Sequence, residues 1–415
     1  MTQRHLMICS RQHPGKQTFY RFISVLMGAL GLNPEYWSWF KRPANALGYI
    51  MYMTQRHLMI CFVPVTCMSQ TVYLLMHYKE HEFAALAVMF SIMPVAYVIK
   101  SAVAQTASYK KANLAFMERI HLHNYLTVKD FSENKRNFIL IKVEKYTRRT
   151  FVFMMVFVLI CFFAWNTVPI VHNLQNNDDF HNITTRLEVC VHFWMPFDYE
   201  FNFYGYLFVQ VLGFYCGGLA VLLMVSFDTV NFAFIYHLVG HIGIIKYDLR
   251  HGFSDEDLTE QDQKEKLANI SKYYCFITST FRMVTAAFGL NVASIYAQNL
   301  VQGGLLLYQM MTAGRVSSIK SSTWLYYKVS SYFILYININ ILFKAEDIPA
   351  LVYDLPWESM SVSNQKMVLL ILNQVQPTLE FVAAFNIKTG IQPAINIIKT
   401  TFSYYVMIKS SKEIE

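Results

Sequence analysis

The sequence predicts an all-α polytopic membrane protein. It expects seven transmembrane helices of inverted topology, N-terminus cytosolic and C-terminus extracellular, the last helix split into a cytosolic anchor part and a pore part. Three observations carry this reading. Apolar residues make up 54% of the 415, and they are bunched into long runs rather than spread evenly. Charged residues reach only 15%, against about 25% in an ordinary globular domain. Lys and Arg are divided unequally between the connecting loops, as expected of a topology set by the positive-inside rule.

In chain order, residues 1–42 read as a mixed cytosolic segment with an amphipathic stretch around Phe19–Leu32. Residues 43–347 hold spans one to six. The first is Ala44–His77, densest over Leu58–Met76. Arg56 and His57 near its middle require protein or interface around them. The second is Phe83–Ala104. The third, Phe151–Val171, has 21 residues and no charge. The fourth, Phe203–Phe227, is also uncharged. The fifth is Met283–Gly314 and the sixth Ser321–Phe343. Residues 348–387 read as an anchor region whose helix, Met367–Ile387, is separated by Lys388–Gly390 from the final span, Ile391–Ile408, within residues 388–415. The nine residues MTQRHLMIC occur twice, at 1–9 and 53–61. A repeat this short and unrepeated is not a solenoid unit, and a duplicated start of the reading frame accounts for it.

The orientation follows from charge. Thr106–Thr150 carries ten Lys or Arg, whereas Asn173–Glu200 carries only Arg186 against five acids. The first loop is therefore cytosolic and the second extracellular. A sequon at Asn182 lies in the outer loop and is the expected glycosylation site; one at Asn269 falls in the cytosol. This polarity is opposite to that of G-protein-coupled receptors. The chain also lacks Asp-Arg-Tyr after span three and Asn-Pro-x-x-Tyr in span seven.

Several classes are excluded or weakened. The net charge of +8 comes without a base-reading or phosphate-cradling cluster, so nucleic acid is not a partner. None of the seven cysteines forms a CxxC pair. No cleavable leader is expected at the polar, basic N-terminus. His237-x-x-x-His241 could present two ligands on one helix face, but His121, His123 and His251 are scattered in sequence, so no metal and no cofactor is expected. No phosphate loop, nucleophile elbow or acid pair points to an enzyme. Lys100, Asp228 and Glu380 are charges within or beside spans, expected mainly to pair.

The closing segment, TGIQPAINIIKTTFSYYVMIK, has its own logic. Gln392, Asn396, Lys399, Ser403 and Met407 share one helix face. A helix facing lipid would not carry Gln, Asn and Lys in line, because unpaired polar groups in hydrocarbon cost several kcal/mol. That row must face water or protein.

The C-terminal residues resemble those of the insect odorant receptors. The match is carried by Ala350-Leu-Val-Tyr-Asp-Leu-Pro-Trp357, an apolar helix with Gln374 and Pro377, and Thr401-Phe-Ser-Tyr-Tyr405. Met195-Pro-Phe-Asp198 and Gln210 are similar in position to family features. The resemblance implies an odorant-binding subunit of a non-selective cation channel. It would assemble as a tetramer with a co-receptor in the plasma membrane of olfactory neuron dendrites. It also implies that the final helix lines the pore, with Gln392, Asn396, Lys399 and Ser403 along the path and an apolar gate at Met407 beside Ile408. A ring of Lys399 is awkward in a cation pore. A small volatile odorant would sit in the outer half of spans two, three, four and six. Those positions are Leu86, Met89, Phe90 and Met93; Cys161, Phe162 and Trp165; Tyr204, Leu207, Phe208 and Val211; and Trp324, Tyr327 and Ser331. Apolar walls with a few polar tips suit such ligands, and Met and aromatics adapt to them. Helix bridging by the polar row, and ordinary core or lipid contact for the others, remain open. So do two other readings. A gustatory receptor would usually end in a Thr-Tyr-x-x-x-x-x-Gln-Phe pattern, absent here. A secondary transporter would show paired broken helices in internal repeats.

Overall fold

Three uninterrupted rods organise the molecule, as seen in a computed structural model. The structure describes residues 46–79, 95–125, 133–176, 183–254, 258–312 and 346–388, apart from positions 97, 184, 378 and 380. To these are added Tyr20, Ile23, Met27 and a helical subset of positions between 395 and 410. The first long helix, α1, is Ala46–Met76, which coincides with the expected first span and contains the second copy of the duplicated nonamer. Three short elements follow: α2, Ala107–Ala115, a single π-helical turn at Phe116–Ile120, and α3, Leu122–Tyr125. The rods are α4, Glu133–Asn176 (44 residues), α5, Phe203–His251 (49 residues), and α6, Glu260–Thr312 (53 residues). At 1.5 Å per residue they are about 66, 74 and 80 Å long, against a hydrocarbon core of about 30 Å.

Among the described residues, three helical stretches are long and apolar enough to cross a membrane: Ile139–Asn176, Phe203–His251 and Glu260–Val301. They contain expected spans three, four and most of five. The structure extends each rod well past its expected span: the charged flanks of α4 and α6 are good helix formers, and α5 runs on through a buried stretch from Asp228 to Ile245 despite Gly240 and Gly243. Span six, most of span two and residues 1–19 lie outside the described residues.

The rod ends are set by local chemistry. Asn202 caps α5, its side chain accepting from the Tyr204 and Gly205 N–H groups, and Arg250 and His251 complement the far end of the dipole. Thr259 and Asp262 cap α6 reciprocally, Asp262 N–H donating to Thr259 Oγ1 at 3.2 Å and Thr259 N–H to Asp262 Oδ2 at 3.3 Å.

The main core joins α2, the π turn, α4, α5 and α6, with Tyr109, Phe227, Phe232 and Phe234 among its largest fully buried side chains. Inside it Lys100 Nζ donates to Asp228 Oδ1 at 2.7 Å, with the two side chains 3% and 6% exposed. The ammonium also stands 4.8 Å from the Phe227 ring centroid. The expectation of pairing for these two charges is met; Glu380 lies outside the described residues.

The anchor region differs from its expected outline. It comprises α7, Ile348–Tyr353, a 3-10 turn at Trp357–Ser359, and α8, Val362–Val375. The expected helix Met367–Ile387 therefore starts earlier and stops 12 residues sooner. Gln376 is still helical in its dihedrals, but Pro377 lacks an N–H to continue the i→i−4 ladder, so the helix ends there. Beyond it, β1, Val382–Ala383, pairs antiparallel with β2, Ile387–Lys388. The connecting turn holds Phe385 and Asn386 at φ 61° and 58°, a geometry that Asn tolerates and Phe seldom adopts. This hairpin presses on α6 at Gly289, where a Cβ would come within 3.2 Å of Ala384 N.

Candidate functional site

The segment 183–202 folds back over one end of the bundle as a lid. Its underside forms a second buried cluster containing Tyr73, Trp165, Val189, Cys190, Tyr206 and Val209. The helices α1, α4 and α5 each supply a polar tie. The Trp165 indole N–H donates to the Cys190 carbonyl at 2.9 Å. Asn173 and Glu188 bond reciprocally, side-chain amide to backbone, at 2.8 Å both ways. Gln210 Oε1 accepts from the Cys190 N–H at 3.1 Å. From α1, Ser69 Oγ donates to the Trp194 carbonyl at 2.8 Å. Arg186 pairs with Glu200 and donates to the Tyr73 hydroxyl. Burial pushes the Tyr199 hydroxyl of the lid well above its ordinary pKa, so it stays protonated.

The lid sits this low because α5 presents glycine beneath it. A Cβ at Gly213 would fall 2.6 Å from Cys190 Sγ, and one at Gly205 would fall 2.4 Å from the Asp198 carbonyl. Asp198 itself turns the chain into α5, accepting from the Glu200 and Phe201 N–H groups at 2.8 and 3.2 Å. Met195-Pro-Phe-Asp198 and Gln210, singled out in the sequence, therefore lead into the turn that joins the lid to α5 and supply one of its clasps.

The structure separates the expected odorant-binding residues into two groups. Trp165 is buried under the lid, at 6% exposure, and its polar tip is committed there. Cys161 and Phe162 are half-buried, and Phe162 packs on Phe214 with ring centroids 4.9 Å apart. Tyr204, Leu207, Phe208 and Val211 lie instead on an exposed face of α5, Tyr204 at 78%. The neighbouring face, Tyr206, Val209, Gln210 and Gly213, is the one buried beneath the lid. Leu86, Met89, Phe90, Met93, Trp324, Tyr327 and Ser331 lie outside the described residues, as does Asn182. Sequence reasoning did not single out Tyr73, Asn173, Cys190 or Tyr206. Asn173 and Tyr206 were legible only as polar groups at the ends of apolar runs.

The final helix is different in kind. Asn396, Lys399, Ser403 and Met407 are all exposed, and so are Phe402 and Val406 on its apolar side. Ser403 Oγ donates back to the Lys399 carbonyl at 3.0 Å, which satisfies the hydroxyl within its own helix. Gln392 and Ile408 lie outside the described residues. At the anchor, Gln374 binds α6 twice, accepting from Ser271 Oγ at 3.0 Å and donating to Cys275 Sγ at 2.9 Å.

A family model described as "7tm Odorant receptor" matches residues 110–402. The chain belongs to the 7tm odorant receptor family. The family is one of receptors rather than enzymes. The fold is similar to that of the insect olfactory receptor OR5 from Machilis hrabei, with a TM-score of 0.75 and 12% identity over 94% of this chain and 97% of that one. The same receptor solved in complex with eugenol matches with a TM-score of 0.72, at 12% identity and the same coverage. No curated protein matches the chain.

The odorant receptor also contains a buried polar cluster that sequence spacing did not bring together. His121, which ends the π turn, stands beside His237, ring centroids 4.1 Å apart. The ligand-type atoms of His121, Glu144 and His237 lie within 4.8 Å of one another. His121, set apart from His237 by sequence alone, is thus its neighbour. The hydrogen bonds fix the tautomers. Nδ1 of His121 accepts from the His123 N–H, and Nδ1 of His237 from the Leu122 N–H, each at 3.2 Å. Both protons then sit on Nε2, which faces Glu144 Oε1 at 2.8 Å from His121 and 3.7 Å from His237. A cation at Nε2 would have to displace those protons and the backbone bonds that set them, so the donor set holds protons rather than a metal. His241 is likewise engaged, Nε2–H donating to the Ile120 carbonyl at 2.6 Å and Nδ1 accepting from Tyr273 at 2.8 Å. The cluster clamps the π turn and α3 onto α4, α5 and α6.

Proposed function

We propose that this receptor is the odorant-binding subunit of a ligand-gated, non-selective cation channel that assembles with a co-receptor into a tetramer. The observation that carries the reading is the uncovered final helix. A membrane helix exposing Asn396, Lys399 and Ser403 on one face and Phe402 and Val406 on another needs water on the first and protein on the second. Neighbouring subunits around a central pore supply both. Residues 388–415 then line the pore with Met407 as gate, residues 348–387 form the cytosolic anchor, and residues 43–347 hold the ligand. Seven spans, a cytosolic N-terminus, an external lid glycosylated at Asn182, and residence in the dendritic plasma membrane of olfactory neurons complete the proposal.

The ligand is a small volatile molecule, held beneath the lid by walls that include Phe162 and Trp165. That the related Machilis receptor is solved with eugenol supports this class. The test is whole-cell recording from cells expressing the chain with and without the co-receptor, against a broad volatile panel. Odorant-evoked cation current that depends on this chain is expected. Surface-expressed protein that never yields such a current refutes the proposal.

A further inference from the structure

We propose that α4 carries a binding site for an anionic phospholipid of the cytosolic leaflet. The site rests on the orientation proposed above. Positions 142, 145, 149, 152, 153, 156, 160 and 163 follow one another along one helix face, and all of them are exposed. The first three are Lys142, Lys145 and Arg149; from Val152 to Val171 there is no charged side chain. The change from basic to apolar takes one turn. The rise from Val152 to Val171 is about 29 Å, matching the hydrocarbon thickness of about 30 Å. Arg149 therefore stands at the level of the headgroups.

A groove of about 550 Å³ opens on this face, lined by Arg148, Arg149, Val152, Phe153, Val156 and Ile160. From Arg149 to Ile160 the helix rises about 17 Å, roughly half of the hydrocarbon core, which is the depth of one leaflet. The apolar walls are open, with Val152, Phe153, Val156 and Ile160 between 51% and 63% exposed. Arg148 is half-buried, and its Nε is a buried donor with no acceptor. Neither arginine forms an ion pair among the described residues.

A guanidinium N–H withdrawn from water without an acceptor, as at Arg148 Nε, is unfavourable. Its planar fork matches phosphate oxygens. An anionic headgroup supplies the missing acceptor while its acyl chain covers the apolar walls, and basic sites of this kind on the cytosolic side favour such lipids.

The test is native mass spectrometry of the full-length receptor, extracted from vesicles of phosphatidylcholine containing a minority of phosphatidylinositol bisphosphate. The wild type is expected to retain the anionic lipid about thirtyfold over phosphatidylcholine, since each of the two arginines at the surface contributes about 1 kcal/mol. R148Q/R149Q abolishes that preference, and V156W, which fills the groove without removing charge, lowers retention. K264Q/K272Q, two exposed lysines on α6, leaves it unchanged. Equal retention in R148Q/R149Q, an equal loss in the α6 control, or a protein copurifying in place of lipid overturns the site. Impermeant-maleimide labelling of K142C on intact cells tests the orientation separately. Labelling from outside refutes the orientation, whereas lipid retention in detergent reads the site itself.

Discussion

Breaking the Lys100–Asp228 pair is the most direct perturbation of this core. The two side chains are 3% and 6% exposed and meet at 2.7 Å. In D228N the ammonium keeps its burial and its aromatic neighbour but loses its counter-charge. Removing one partner of a buried pair leaves an uncompensated charge and costs about 3–5 kcal/mol. For a chain this long, about 2 °C or less of melting shift accompanies each kcal/mol, so D228N should melt below wild type by up to about 6–10 °C. The double variant K100M/D228L removes both charges and keeps apolar volume. It should recover most of that loss, because isosteric apolar replacement of a buried pair is often neutral. The assay is fluorescence-detected size-exclusion of detergent-solubilised receptor after graded heating. If D228N melts with the wild type, or K100M/D228L melts below D228N, the pair is not the coupled, desolvated unit described.

Further outcomes are expected. W165F keeps the ring beneath the lid but removes the donor to Cys190, at a cost of about 1 kcal/mol. Its odorant responses should shift in sensitivity, while W165A abolishes them; retained responses in W165A with normal surface expression remove Trp165 from the site. M407A should raise leak current or alter ion permeability, and unchanged currents sink the gate assignment. Lys246 donates to Asp347 at 2.8 Å and holds its carboxyl below the usual range. A lowered folded pKa contributes stability above the ordinary carboxyl value that is lost as pH falls through the lowered one. Wild type and D347N should therefore differ slightly at neutral pH and still at about pH 4, and converge only as pH falls further through the lowered value, as read by melting across that range.

The rods were legible wherever a single local property decides them. The charge-free run from Phe151 to Val171 reads as a span without knowledge of any neighbour, and so does the start of α5. The anchor helix was misplaced because its apolar period continues beyond Val375, while the event that stops it is a single proline. Gln210 stood out in the sequence, but its partner is a backbone N–H, and a side chain bonding to backbone leaves no trace in the identity of Cys190. Glu144 was hidden for a different reason. It lies in a charge-rich stretch that reads as a solvated face, and only the fold brings His121 and His237 to it. The split among the expected ligand residues has the same origin. Tyr204 and Tyr206 differ by two positions, yet one faces outward and the other lies under the lid.

The length of the rods has a mechanical consequence. A helix of 49 residues is about 74 Å long. From Gly213, where the lid seats, to His251 the arm is about 57 Å, so a pivot of about 3° there swings the opposite tip by about 3 Å. A ligand that shifts the lid by a fraction of a bond length can therefore displace the far ends of α5 and α6 by the width of a water molecule. The anchor clasped there by Gln374 and Lys246 rides on the long arm of that lever.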